Sequence, residues 1–214
     1  MSTIQRYEHP PSPEALVKVV PQRSAVYYDI KAQFDLYGGR SRLRKLLRCL
    51  GTPGVQAMTT FRFGTWLISQ PVGVRFLLHP FYAVLHTLVL VFWGIDMERG
   101  ATIGPGLYIG HFGGINISSA ATLGSHCFIS QGVTVGVAGQ GERRGAPRIG
   151  DNVYIAPGAR LFGKITVGDN SKVGANCVVH KDIPAGATVV TSGGCEILSI
   201  YGQRIQSESP ESAG

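Results

Sequence analysis

The sequence predicts a mainly β protein, a parallel coil of very short strands with a triangular cross-section, preceded by a helical N-terminal segment. Three observations carry this: a six-residue aliphatic period in the second half, an excess of glycine, and helix-like apolar spacing before residue 94. The expected organisation is a disordered stretch over 1–13, a helical domain over 14–93, a repetitive β domain over 94–190, and an extension with a disordered tail over 191–214.

The helical segment holds two informative runs. In RSRLRKLLRCL, Leu43, Leu46, Leu47 and Leu50 fall at i, i+3, i+4 and i+7, while Arg40, Arg42, Arg44, Lys45 and Arg48 mostly occupy the other side. This is a basic amphipathic helix, expected either to pack its leucines on neighbours or to meet acidic lipid headgroups. Residues 81–95, FYAVLHTLVLVFWGI, are almost wholly apolar but shorter than the roughly 20 residues of a bilayer span. Backwards the run meets Pro80, His79 and Arg75, so a buried or interfacial helix is expected.

The β domain rests on periodicity. Aliphatic residues recur at Ile103, Ile109, Ile117, Leu123, Ile129, Val135, Ile149, Ile155, Leu161, Val167, Val173 and Val179, and in ten of these twelve cases Gly, Ala or Ser follows. A step of six fits neither a helix nor an isolated strand. It fits flat sides of a three-sided coil, in which each aliphatic side chain points inward and stacks on its equivalent 18 residues later. Glycine at the corners tolerates positive φ, which accounts for 29 glycines in 214 residues. The residue two places before each aliphatic one is uncharged throughout, so Cys127 and Cys177 read as core fillers rather than metal or redox groups.

Composition narrows the function. With 44% hydrophobic and 15% charged residues the chain is no disordered tail protein, and a net charge of +7 suits an anionic ligand, an anionic membrane face or nucleic acid. Nucleic acid is disfavoured, because no known module or aromatic interleaving accompanies the basic run. Four cysteines without a CxxC pair, and a proline-broken N-terminus without an apolar core, suggest neither a secreted disulfide framework nor a signal peptide, so a cytoplasmic protein is expected.

The period is interrupted twice, and an irregular loop on a rigid scaffold is where function concentrates. Eight residues separate Ile109 from Ile117, including His111, and fourteen separate Val135 from Ile149, the loop GVAGQGERRGAPR. Hexads of this kind resemble the hexapeptide-repeat acyltransferases, which implies a left-handed parallel β-helix over about 95–190. GIDMERGATIGPGLYIGHFGGINIS, PGVQAMTTFRFGTWL, SQGVTVG and GDNVYIAPGARLFGKITVGDNSKVGANCVVHKDIPAGATVV resemble the serine acetyltransferase subgroup, in which an aspartate precedes the catalytic histidine by fifteen residues, as Asp96 precedes His111.

The resemblance implies direct acetyl transfer from acetyl-CoA to a hydroxyl, with His111 as general base and Asp96 orienting its imidazole. No metal is required. Cofactor contacts carry over to Pro157, Ala175, His180 and Lys181, the lysine meeting a CoA phosphate as a point charge. His180 stands where threonine is usual, and the family's GVPA ending is replaced by TSGGCEILSIYG.

The departures bear on the acceptor. Serine acetyltransferases carry Asp before the catalytic His and an Arg-His pair before Pro in the long loop. Here Gly110, and Gly145 with Ala146, hold those places, with Arg143 and Arg144 nearby as substitutes. A zwitterion would find few partners. The expected acceptor is therefore a sugar hydroxyl in surface-polysaccharide synthesis, with serine as the alternative, and the basic and apolar runs of the helical segment suit a lipid-linked acceptor at the inner membrane face. A zinc site built from His111, His126 and His180 and a non-catalytic scaffold are the weaker readings. The resemblance also implies a homotrimer with sites between neighbouring prisms.

Overall fold

The structure is a computed structural model describing residues 22–36, 42–191, 195–200 and 203–204, without the side chains of 22–24, 36, 42, 143 and 192 onward. The expectations for 1–13 and for the tail lie outside the described residues, and Cys195 is described in backbone only.

Four helices come first: α1 (Gln22–Leu36), α2 (Arg42–Leu50), α3 (Pro53–Ile68) and α4 (Val72–Trp93). Pro53 opens α3, where a missing N–H costs nothing, and Thr52 Oγ1 donates to the Cys49 carbonyl at 2.5 Å, tying α2 to α3. α3 is the hub, packing on α1, α2 and α4. At Gly64 a Cβ would collide with the Tyr82 ring, so glycine lets α3 and α4 approach closely. α4 ends on Gly94, at φ 60°, whose N–H donates to the Leu90 carbonyl at 3.0 Å.

Two sequence expectations are corrected here. α4 runs straight through Pro80 and is 22 residues long, so it is neither as short as the apolar run suggested nor buried: Phe76 is 83% exposed and Val91 70%. Among the described residues it is the one helix whose length and composition would suit a bilayer. α2 packs in the opposite sense to the usual amphipathic helix. Cys49 faces inward, fully buried, whereas Leu43 and Leu47 lie on the outside at 66% and 61% exposure.

Beyond Gly94 the chain winds into five coils. The first holds β1 (Ile95–Met97), β2 (Thr102–Ile103) and β3 (Tyr108–Ile109), and the second β4 (Ile115–Ile117), β5 (Thr122–Leu123) and β6 (Phe128–Ile129). The third holds β7 (Thr134–Gly136), β8 (Arg148–Ile149) and β9 (Tyr154–Ile155), and the fourth β10 (Arg160–Phe162), β11 (Thr166–Val167) and β12 (Lys172–Val173). The fifth holds β13 (Val178–Val179), an Ile183 bridge to Val167, and β14 (Ala187–Thr191). All pairing between coils is parallel, which stacks the strands into three faces: β1-β4-β7-β10-β13, β2-β5-β8-β11, and β3-β6-β9-β12-β14.

The alternation of period two decides what fills the prism. Ile103, Leu123, Ile149 and Val167 line up in register on the second face, and every one of the twelve aliphatic positions is buried. Cys127 and Cys177 are fully buried in the prism and form no disulfide. Burial pushes the Cys127 thiol from its ordinary 9.0 up to about 12.

Two further features close the prism. Arg62 of α3 is buried and donates to the carbonyls of Ile103 at 2.6 Å and Gly104 at 2.7 Å, and its Nε meets Asp29 Oδ2 at 2.9 Å. Asp29 Oδ1 in turn accepts the N–H groups of Gly106 and Leu107 at 2.7 and 3.1 Å. At the other end β15 (Cys195–Ile200) turns back antiparallel on β14, and β16 (Gln203–Arg204) pairs antiparallel with β15.

Candidate active site

The two breaks in the period appear as two different edges of the prism. The edge between the third and first faces carries the turns at Gly110–Gly114, Ser130–Gly132, Ala156–Gly158 and Gly174–Asn176. Gly114, Gly132, Gly158 and Asn176 have positive φ there, and a Cβ on Gly132 would lie 3.3 Å from Gly158 Cα, so the corner backbones stack almost in contact. His111 sits on this edge, exposed, beside Phe112, whose ring meets Trp93 of α4 edge-on at 5.3 Å. Pro157 and Ala175 lie on the same edge, two and three coils further on.

Between the first and second faces a second edge carries the long loop. A 3-10 turn at Gly141–Arg143 caps it, and Ala138 and Gly145 exchange backbone hydrogen bonds at 3.0 Å. Arg144 is exposed in this loop; the side chain of Arg143 lies outside the description. His180 and Lys181 are exposed on the same edge. The expected site residues thus divide: Gly110, His111, Pro157 and Ala175 on one edge, the loop arginines with His180 and Lys181 on the other, the first face between them.

Asp96 stands on that first face, pointing outward between the buried Ile95 and Met97. Here the structure differs from the expected dyad. Asp96 Oδ1 lies 3.3 Å from His86 Nε2 of α4, and among the described residues no hydrogen bond or ion pair joins it to His111. Sequence reading missed His86, although His79, Tyr82 and His86 form a helical stripe. They line a groove with Asp96, Glu98, Arg99 and Ser119, where the Arg99 guanidinium lies 4.6 Å from the Tyr82 ring centre.

The third face adds an aromatic ladder that the sequence reading also missed. Tyr108, Phe128 and Tyr154 pair in register, with ring centres 4.6 and 4.8 Å apart. A Cβ at Gly110 would lie 2.8 Å from Phe128 Cζ, so the ladder occupies the space a side chain before His111 would need. On the His111 edge, Gln131 Oε1 is buried without a hydrogen-bond partner. His111, His126 and His180 sit on three different edges and do not converge within one chain. Among the described residues no three His, Cys, Asp or Glu side chains gather as a metal site.

Residues 146–181 match the bacterial transferase hexapeptide (six repeats) family. A serine acetyltransferase of Helicobacter pylori is 36% identical over 143 residues, covering 65% of this chain and 78% of that protein. The chain belongs to the serine acetyltransferase family of hexapeptide-repeat transferases. Its prism is the family's left-handed β-helix. The family relative from Synechococcus elongatus is 36% identical over 140 residues, 64% of this chain and 54% of that protein. The chain therefore spans about half the length of that relative. The solved serine acetyltransferase of Brucella abortus strain S19 in complex with coenzyme A superposes with a TM-score of 0.69 at 28% identity, over 87% of this chain and 72% of that one.

Proposed function

We propose that the chain is an acetyl-CoA-dependent O-acetyltransferase with His111 as its general base. One observation carries the reading: an exposed imidazole on the prism edge that also holds Pro157, Ala175 and the orphaned Gln131 carbonyl oxygen. The pantetheine arm of acetyl-CoA would lie along this edge, where small corner residues leave the backbone open, and one of its amide N–H groups would satisfy Gln131 Oε1.

A hydroxyl is a weak nucleophile near neutral pH. His111 takes its proton as the oxygen attacks the thioester carbon; the tetrahedral intermediate collapses, the C–S bond breaks, and the departing CoA sulfur receives the proton. Asp96, whose Oδ1 meets His86, would orient this base through its other carboxylate oxygen. A trimer would bring the loop edge of one copy, with Arg144, His180 and Lys181, to the His111 edge of the next. That completes a site the single chain leaves in two halves.

Serine is the acceptor that the relatives' names support, ahead of the sugar hydroxyl expected from the sequence. One observation keeps the sugar as a second reading: Phe128 fills the place where an acidic side chain before His111 would grip an ammonium group, and a row of aromatic rings can stack on the apolar face of a sugar.

The experiment measures release of the CoA thiol from acetyl-CoA by the purified full chain, offered serine and, separately, nucleotide-linked and polymeric sugars. Turnover with one of them, lost by about 100-fold or more in His111→Ala while the fold is kept, is the expected result. Equal turnover in wild type and His111→Ala overturns it.

A further inference from the structure

α4 breaks the rule that a surface helix shows a polar face to water. Apart from His86, which turns to Asp96, its buried and half-buried positions, Arg75, Leu78, Tyr82, Leu85, Val89 and Trp93, recur with helical spacing and mark one stripe, which lies against α3. Outside that stripe, and away from His79 and Thr87 beside the Asp96 groove, the exposed surface of α4 is apolar: Val72, Phe76, Leu77, Val84, Val91 and Phe92 are 57–83% exposed. An exposed apolar face of this extent is covered by something other than water.

α2, which also packs on α3, repeats the anomaly. Its leucines face outward, with the exposed Arg44 and Arg48 beside them. That is the arrangement of a helix lying in a lipid interface, leucines toward the acyl chains and guanidinium groups at the headgroups.

Charge selects the occupant. From Arg42 to Gly94 there is no Asp or Glu, while Arg42, Arg44, Lys45, Arg48, Arg62 and Arg75 are cationic. Of these Arg62 is turned inward, buried against Asp29. A second copy laid on α2 would oppose cation to cation, with no acidic side chain on α2 or α4 to receive them. An anionic bilayer surface supplies both an apolar medium and negative charge.

We infer that the outer faces of α2 and α4 bind the surface of an anionic membrane, α4 lying in the interface rather than crossing it. α4 is held to that orientation by its α3 stripe, by the 2.9 Å hydrogen bond from Trp93 Nε1 to Gln56 Oε1, and by Gly94, which hands the chain directly to β1. The two signals are complementary: apolar insertion by α4, electrostatic attraction by α2. Together they hold the prism beside the lipid headgroups, whatever acceptor it acts on.

The test is flotation of the full-length protein with vesicles of phosphatidylcholine alone and of phosphatidylcholine with about one third phosphatidylglycerol, at low and high salt. Binding is expected to be stronger on the anionic vesicles and to fall with salt. The Arg44→Gln/Arg48→Gln variant is expected to lose about 30-fold in affinity for anionic vesicles, from about 1 kcal/mol per cation. The Phe76→Ser/Val84→Ser/Val91→Ser variant is expected to lose binding to both vesicle types with an unchanged β-sheet circular dichroism spectrum. Should that variant fail to fold, the arginine variant decides alone. Wild type that stays at the bottom of the gradient with anionic vesicles overturns the inference, as does an arginine variant that floats like wild type. So does a wild-type oligomer, seen by light scattering, that ignores vesicles and dissociates in the α4 variant, since that face would then be a contact between copies.

Discussion

Asp96 Oδ1 approaches His86 Nε2 to 3.3 Å in the groove, so the imidazole that this carboxylate meets in the described residues is that of His86 and not that of His111. The contact with His86 and the fifteen-residue spacing to His111 make separable predictions for the two histidines.

Asp96→Asn is expected to lower kcat by about 10²–10⁴-fold, because the orienting and charge-stabilising partner of the base is gone. His86→Gln, which frees the carboxylate, is expected to change kcat far less. Steady-state CoA release measures both. Equal losses in the two variants would mean that the Asp96–His86 pair, and not a dyad with His111, is the working unit.

Gln131→Leu is expected to raise the KM for acetyl-CoA by about tenfold, the loss of one net hydrogen bond of about 1–1.5 kcal/mol, with kcat little changed. An unaltered KM would remove Gln131 from the cofactor edge.

Gly110→Asp is expected to destabilise the fold by about 1–3 kcal/mol, because the new Cβ meets the Phe128 ring. Phe128→Ser in the same chain restores the room, and the double variant is expected to show a lower KM for serine than wild type. Denaturant melts and serine titrations read the two effects.

Arg62→Ala is expected to cost about 3–5 kcal/mol in chemical denaturation. It leaves Asp29 buried without its partner and uncovers the carbonyls of Ile103 and Gly104.

The Cys127 thiol, raised from 9.0 to about 12 by burial, stays protonated in the native protein while the unfolded chain releases its proton. Its contribution to stability is complete below pH 9 and is expected to drain away as pH climbs from about 9 to 12. A Cys127→Ala variant should show a shallower fall over that window in denaturation midpoints. At pH 8 the native thiol should resist alkylation and react only on unfolding.

The prism was legible because its rule is local: every sixth residue points inward, so Ile103 to Val179 declare their burial one by one. His111 was legible because it breaks that rule. What escaped depends on packing between distant segments. Nothing in RSRLRKLLRCL says which side of α2 meets α1 and α3, and the leucine face turned out to be outside. The fifteen-residue spacing places Asp96 and His111 in one coil, yet His86 comes from a helix that arrives before the coil begins. Phe128 bears on Gly110 only through the strand register.

The coil is closed at both described ends by unlike means. Its leading turn is sealed by helices over β1 and β3 and by the Arg62 guanidinium over β2, and its trailing third face by a strand that reverses direction. An open solenoid would offer rows of unpaired backbone groups on which further molecules could stack head to tail into a filament. Here such axial stacking is obstructed over the leading turn and over the trailing third face, which favours the flanks of the prism for association with other copies.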